Sequence, residues 1–329
     1  MSKISIIVPC YNAAEYLPRC VNSLLNQTIP VDIILVNDGS SDDTLTLALE
    51  YQKNNSNIQI ISTENQGLPQ ARKTGFLAAK TPFIAFLDAD DWVKPDMYHQ
   101  LYAALVNTKA DMAFCGTCKT YSSQKEVPLK QYLKDGTILT GRQAMHCLHC
   151  HRDVFPYMWN KLFRKETLTN VVFPSGNTIG EDYATLIQIL LKCNRIVSIK
   201  KPLHHYFQKS SSMSKTGFTD IHVLSYNQYQ QIESFLIEKD PAVKRDICGY
   251  LAIEYMALVI KMFRNQNYHY QMISDIQDYI AENKLHILRN KDLHFSFKVF
   301  TVSFLCNYKI TCAVYCLISR LFKYFNNLT

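Results

Sequence analysis

The chain has 329 residues, 47% of them hydrophobic and 19% charged, with ten glycines and neither a low-complexity tract nor an internal repeat. That length exceeds one small core and fits a large α/β domain with an appendage. Of the formal net charge of +7, the stretch from Lys284 to the end supplies +6, leaving residues 1–283 at +1, and such a neutral body argues against nucleic-acid binding. In chain order, the apolar run 4–8, closed by Pro9, predicts a buried strand. A helix is expected from about Ala13 to Gln27, with Leu17, Val21, Leu24 and Leu25 on one face. A second strand (32–36) follows, then a helix opening near Ser41-Asp42-Asp43-Thr44, with acids in its first turn where the helix dipole favours them. A third strand (58–62), a helix from Leu68-Pro69 and a fourth strand (83–87) complete the series. Strands alternating with helices predict a largely parallel, doubly wound sheet, whose ligands bind at the carboxyl ends of the strands.

Those ends are polar. Pro9-Cys10-Tyr11-Asn12 follow the first strand and Asn37-Asp38-Gly39-Ser40-Ser41 the second. Asn65-Gln66-Gly67, with Arg72 on the next helix, follow the third, and Asp88-Ala89-Asp90-Asp91 the fourth. Each group alone has an ordinary explanation as a turn. Three carboxylates within four residues, however, repel one another and call for a cation, and hard oxygen ligands suit Mg²⁺ or Mn²⁺ on a diphosphate. Neither Gly-x-Gly-x-x-Gly nor Gly-Lys-Ser/Thr occurs. A metal-bridged diphosphate without a glycine cradle fits a sugar nucleotide better than ATP or a dinucleotide.

Taken together, 6–12 (Ile-Ile-Val-Pro-Cys-Tyr-Asn), 36–42 (Val-Asn-Asp-Gly-Ser-Ser-Asp), Asn65-Gln66-Gly67 to Ala71-Arg72 and 86–91 (Phe-Leu-Asp-Ala-Asp-Asp) resemble glycosyltransferase family 2, of the GT-A fold. The resemblance covers roughly residues 4–215. Trp159-Asn160-Lys161-Leu162, Phe173-Pro174, Gly180-Glu181-Asp182 and His204-His205-Tyr206 leading to Ser212-Met213-Ser214 are similar to the branch that builds bacterial capsule, exopolysaccharide and lipopolysaccharide. It implies a GT-A domain over 1–218, with a nucleotide-binding half (1–100) and an acceptor half (101–218), and a helical region over 219–329.

By the same resemblance, Asp38 accepts a hydrogen bond from the donor's base, normally uracil, and Pro9, Tyr11 and Arg72 line the nucleotide pocket. Asp88 holds the ribose or supports the metal, and Asp90 ligates Mn²⁺ or Mg²⁺. Glu181-Asp182 corresponds to the family's acidic pair, with Asp182 as base; the ordinary reading of this pair is acids at a helix start, over 183–193. Lys73 departs from a frequent Asn, and His204 and His205 from frequent tyrosines. The implied reaction is inverting: a hydroxyl attacks the anomeric carbon opposite the diphosphate, a cation neutralises the leaving group and a carboxylate takes the proton. The partners implied are a nucleotide-sugar donor, probed first as a UDP-sugar, and a saccharide or lipid-linked acceptor. Two rivals remain: a non-catalytic sugar-nucleotide-binding scaffold, and a nucleotidyltransferase, which would normally carry a glycine-rich loop in place of Pro9 to Asn12.

Lys209 and Ser212 are candidates to close over the diphosphate; the ordinary reading of this stretch is a polar loop. Trp159 and Lys161 are placed either at the acceptor or, for Trp159, in the core. Cys115-x-x-Cys118 and Cys147-x-x-Cys150, with His146, His149 and His151 nearby, have zinc-like spacing, but strand-like and helix-like surroundings favour ordinary buried thiols. With no apolar leader and no run fit to span a bilayer, the protein is expected on the cytoplasmic side. From Ile310 the residues Ile310, Ala313, Val314, Leu317, Ile318, Leu321, Phe322 and Phe325 follow one helical face, with Lys309, Arg320 and Lys323 beside it. That face either lies on an anionic membrane surface, as a peripheral anchor on the inner face of the cell membrane, or packs on the helices of 222–280.

Overall fold

The computed structural model describes residues 2–121, 123, 125–150, 153–176, 179–209 and 217–326, and for 319–326 the backbone alone. Residues 1–148 with 152–212 form one compact unit, and 149–151 with 213–329 form another.

The first unit opens with β1 (Ile4–Cys10), α1 (Leu17–Leu25), β2 (Val31–Asp38), α2 (Thr44–Asn54), β3 (Ile58–Thr63), α3 (Leu68–Ala78) and β4 (Phe83–Phe86). It continues through β5 (Trp92–Val93), α4 (Met97–Thr108), β6 (Met112–Thr120), β7 (Glu126–Pro128), β8 (Ile138–Leu139), α5 (Gly141–His149) and β9 (Lys161–Arg164). It closes with α6 (Lys165–Leu168), α7 (Glu181–Leu190) and β10 (Ile196–Phe207). Every residue of β1 is buried, because helices cover both faces of the sheet. Ile4, Ile6, Val8, Ile33 and Leu35 pack one face against Leu17, Val21 and Leu24 of α1 and Leu101 and Leu105 of α4. On the other face α3 comes so near that a Cβ on Gly75 would stand 2.3 Å from Ile7 Cγ2.

The main strand order is β3-β2-β1-β4-β9-β6-β10-β5. β3, β2, β1 and β4 are mutually parallel, as are β6 and β10. β9 runs antiparallel between β4 and β6. The sheet is therefore mixed but mostly parallel in its long strands, with the doubly wound order expected. Two strands run further than their apolar cores suggest. Cys10 pairs with Asn37 and Asp38 with Thr63, so these motif residues end strands rather than begin loops. Parallel neighbours supply ladder partners that a hydrophobicity pattern does not register. Conversely α1 starts only at Leu17, with Pro18 in its first turn.

The second unit contains, among the described residues, five helices: α8 (Asp220–Lys239), α9 (Lys244–Asn265), α10 (Tyr270–Arg289), α11 (Phe295–Cys306) and α12 (Tyr308–Asn326). The chain packs α8 on α9, α9 on α10, α10 on α11, and α12 on both α9 and α11. α12 turns Thr311, Cys312 and Cys316 inward, while Ile310, Val314, Leu317 and Ile318 are exposed. The apolar face read from the sequence is thus not the packed one over the described side chains. Thr311 hydrogen-bonds Ser303 of α11 at 2.6 Å, and the two small thiols permit close helix approach.

Candidate active site

β1 has β2 on one side and β4 on the other, so the strand order reverses there and a crevice opens beyond the carboxyl ends. The loops after β1 and β2 are knitted together. Asn12, in the left-handed region at φ 48°, accepts the Ser41 N–H at 2.9 Å, and its own N–H donates to Ser40 Oγ at 3.1 Å. Pro9 is buried within β1, whereas the Tyr11 ring, 55% exposed, stands free for stacking. Asp38 is buried and accepts from the N–H groups of Gln66 (2.9 Å) and Gly67 (2.8 Å) and from the Thr63 hydroxyl (3.3 Å). Its carboxylate therefore fixes the loop between β3 and α3. Gly39 is required beside it: at φ 70° a Cβ would meet Asn65 N at 2.7 Å.

Past β4, oxygens of Asp88, Asp90 and Asp91 lie within 4.8 Å of one another. The three are not equivalent. Asp91 is fully buried, accepts the Phe207 N–H at 2.8 Å and lies 3.1 Å from His204 Nε2. Burial, then Asp90 and Asp88, push its carboxyl well up, and burial pushes His204 well down. Asp91 thus ties the acidic loop to the end of β10. Asp90 instead carries the Lys209 ammonium at 2.7 Å from Oδ2, and that ammonium also lies 4.2 Å from the Tyr16 ring centre. A positive charge already seated on Asp90, among clustered carboxylates, shows a donor set that fits a hard divalent cation. Asp90 would ligate it and Asp88 support it. Arg19, sandwiched between Trp92 (3.9 Å) and Phe207 (4.4 Å), donates to the Asp90 carbonyl at 2.8 Å and sets the loop's position.

Arg72 joins this cluster to the acidic pair. Its guanidinium, 2% exposed, donates to Asp88 Oδ1 at 2.9 Å and to Asp182 Oδ1. Burial alone would lower its pKa; Asp182, Asp88 and Glu181 outweigh that and hold it raised. Expected to line a nucleotide pocket, Arg72 bridges two carboxylates inside the protein. Asp182 Oδ2 also accepts the Met158 N–H at 3.3 Å. Burial and then Asp182 push Glu181 up to about 7, and burial, only partly offset by Arg72, pushes Asp88 up to about 6. Glu181 and Asp182 belong to the first turn of α7, as the helix-start reading has it.

Two acceptor-side candidates are interior. Trp159 is buried, stacked on His204 with ring centres 4.1 Å apart. Lys161 is buried and donates to the carbonyls of Phe155 (3.0 Å) and Tyr157 (2.6 Å) and to Asn160 Oδ1 (2.7 Å), which locks the turn before β9. Ser212 and His151 lie outside the described residues. Cys115 and Cys118 belong, among the described residues, to no group of three or more metal-ligating side chains. Arg19 and the Asp91–His204 contact carried no signal in the sequence: an arginine in an amphipathic helix reads as ordinary surface, and Asp91 read only as one of three carboxylates calling for a cation.

The profile of glycosyl transferase family 2 matches residues 5–173, which span the crevice, the acidic loop and β9. The chain belongs to glycosyl transferase family 2. That family is generally dependent on a divalent metal. The chain is 32% identical over 220 residues to the Bacillus subtilis (strain 168) glycosyltransferase EpsJ, over 65% of this chain and 64% of that one. It is 30% identical over 224 residues to the cholesterol galactosyltransferase of Borreliella burgdorferi, over 65% and 62% respectively. The chain thus spans somewhat under two thirds of these relatives' length. Its fold is that of S. aureus TarS 1–349 in complex with UDP-GlcNAc, with a TM-score of 0.74 at 19% identity over 96% of this chain and 92% of that one. No described helix is long and apolar enough to cross a membrane.

Proposed function

We propose that this family 2 protein transfers a sugar, with inversion, from a nucleoside-diphosphate sugar to a hydroxyl of a saccharide or lipid-linked saccharide. The setting would be cell-surface polysaccharide synthesis on the cytoplasmic side of the membrane. The observation that carries the reading is the Arg72 bridge, which couples the acidic loop after β4 to the acidic pair on α7. A displacement at an anomeric carbon needs charge neutralisation on one side and proton removal on the other, and the two carboxylate groups offer one each.

In this reading Tyr11 and Asp38 receive the base, and Asp88 faces the ribose. Lys209, released from Asp90, moves to the diphosphate, with Ser212 beyond it on the same segment. A bound Mn²⁺ or Mg²⁺ would neutralise the diphosphate as it leaves. The acceptor proton goes to Asp182, oriented by Arg72 and the Met158 N–H, with Glu181 beside it in the first turn of α7. The UDP-GlcNAc in the TarS structure supports a UDP-linked donor, and a hexose or N-acetylhexosamine is the sugar to test.

The test is release of nucleoside diphosphate from UDP-, GDP- and dTDP-sugars across a metal titration, with Asp90→Ala alongside. We expect a metal-dependent rate with one donor class and a loss of about 10²–10³ or more in the variant, its fold unchanged. Donor binding without turnover at any metal concentration would make the protein a binder. Full activity of Asp90→Ala, or of the wild type in excess EDTA, would remove the metal assignment.

A further inference from the structure

In the second unit, α11 exposes Phe295, Val299 and Val302, which recur at i, i+4 and i+7 on one side of the helix. Phe295 is 76% exposed, although large apolar side chains at such spacing usually mark a buried face. After Asn307, α12 repeats the pattern with Ile310, Val314, Leu317 and Ile318, of which Ile310 and Leu317 are about 60% exposed. Other side chains do the internal packing. Thr301 and Phe304 of α11 are buried, as are Thr311, Cys312 and Cys316 of α12. The hairpin is therefore folded against α9 and α10 with its apolar stripes turned outward.

The charge carried by this end of the chain says what covers them. Lys284, Arg289, Lys291 and Lys309 are exposed and Lys298 is half-buried. From Lys284 onward only Asp292 opposes the seven basic residues. A second copy of the chain would bring an equally basic surface to meet this one and would be repelled. An anionic bilayer surface matches both features, because apolar side chains enter the acyl boundary while cations remain among the headgroups.

We propose that the α11–α12 hairpin docks in the plane of an anionic membrane through Phe295, Val299, Val302, Ile310, Val314, Leu317 and Ile318. Docking stands on the helical unit alone and does not rest on the transfer reaction. It would hold the protein on the surface where a lipid-linked acceptor resides.

Flotation of the full-length protein tests this, with vesicles of phosphatidylcholine alone and of phosphatidylcholine mixed with phosphatidylglycerol, at low and high salt. Truncation is the wrong perturbation, since α12 packs on α9 and α11; Val299→Glu/Leu317→Glu and Lys291→Gln/Lys309→Gln alter exposed positions only. We expect flotation with the anionic vesicles, weakened by salt, and lost in the Glu pair while circular dichroism and melting stay as in wild type. Each cation removed should weaken partitioning about fivefold. Failure of the intact protein to float, equal flotation with neutral vesicles, or unchanged binding in both variants would overturn the proposal. So would a concentration-dependent dimer abolished by the Glu pair, which would make a second copy the occupant. Nucleoside-diphosphate release from soluble donor, measured in parallel, should stay unchanged in the Glu pair, which separates failure of docking from failure of the catalytic reading.

Discussion

Replacing Arg72 with Met keeps an unbranched side chain in α3 and removes the charge between Asp88 and Asp182. The guanidinium is almost wholly buried and makes both contacts at once, so its loss leaves two inward carboxylates without their counter-charge. Removing one partner of a buried pair typically destabilises by about 3–5 kcal/mol. For a domain of this size that lowers the melting temperature by roughly 6–20 °C. Arg72→Lys offers a single point charge where a planar fork serves two acceptors, so it should recover only part of the loss. Urea unfolding gives the stability, and nucleoside-diphosphate release gives turnover on the fraction still folded. We expect both to fall in Arg72→Met, because Asp182 also loses the donor that orients it. A Met variant within about 1 kcal/mol of wild type would refute the bridge, and a Lys variant as good as arginine would refute its two-sided character.

Asp182→Asn should leave donor binding near normal and lower turnover by roughly 10²–10⁴; lost binding with surviving turnover at saturation would make Asp182 a binding residue. Because Glu181 is pushed up to about 7, it carries its negative charge only above that pH, where the charge helps to draw the acceptor proton, so turnover should rise as pH increases through about 7. Glu181→Gln should remove that limb of the pH profile, and a profile unaltered by the substitution would separate Glu181 from the proton transfer. Gly75→Ala places a Cβ 2.3 Å from Ile7 Cγ2. Overpacking of about 1–3 kcal/mol should then exceed the roughly 1 kcal/mol gain in helix propensity. Combined with Ile7→Ala the losses should be less than additive in denaturant unfolding, and strict additivity would place the clash elsewhere.

The parallel half of the sheet was readable in the sequence because its strands are apolar throughout, with polar punctuation at each end. The short antiparallel pieces were not. β9 covers only Lys161–Arg164 and begins and ends with basic residues, so no alternation announces a strand. Lys161 was placed at the acceptor, and Trp159 either there or in the core, because a lysine in a motif suggests a surface while an indole suits either. Three carbonyl-type acceptors satisfy the ammonium indoors, and His204 gives the indole a stacking partner. The acid cluster was legible as a group, but not the division of labour within it. What separates Asp91 from Asp90 is the arrival of Phe207 and His204 from more than a hundred residues away, and spacing along the chain carries no trace of that contact. The tail left two readings open for a related reason: helical periodicity identifies an apolar face without stating which face meets the protein.

β9 has a bearing on how the molecule comes into being. β4 pairs with β1 on one edge and with residues 162–164 on the other. While the chain emerges from the ribosome, β4 keeps an open hydrogen-bonding edge until some eighty further residues have been made, an interval in which such an edge can recruit a stranger. The acidic loop just beyond β4 waits longer still, since Asp91 finds its partners only on β10. Residues 1–100, which carry nearly all the recognisable motifs, are therefore not a module that could mature first and acquire the rest later. The geometry of the acidic loop is among the last features to set, because it waits for the strand that completes the sheet.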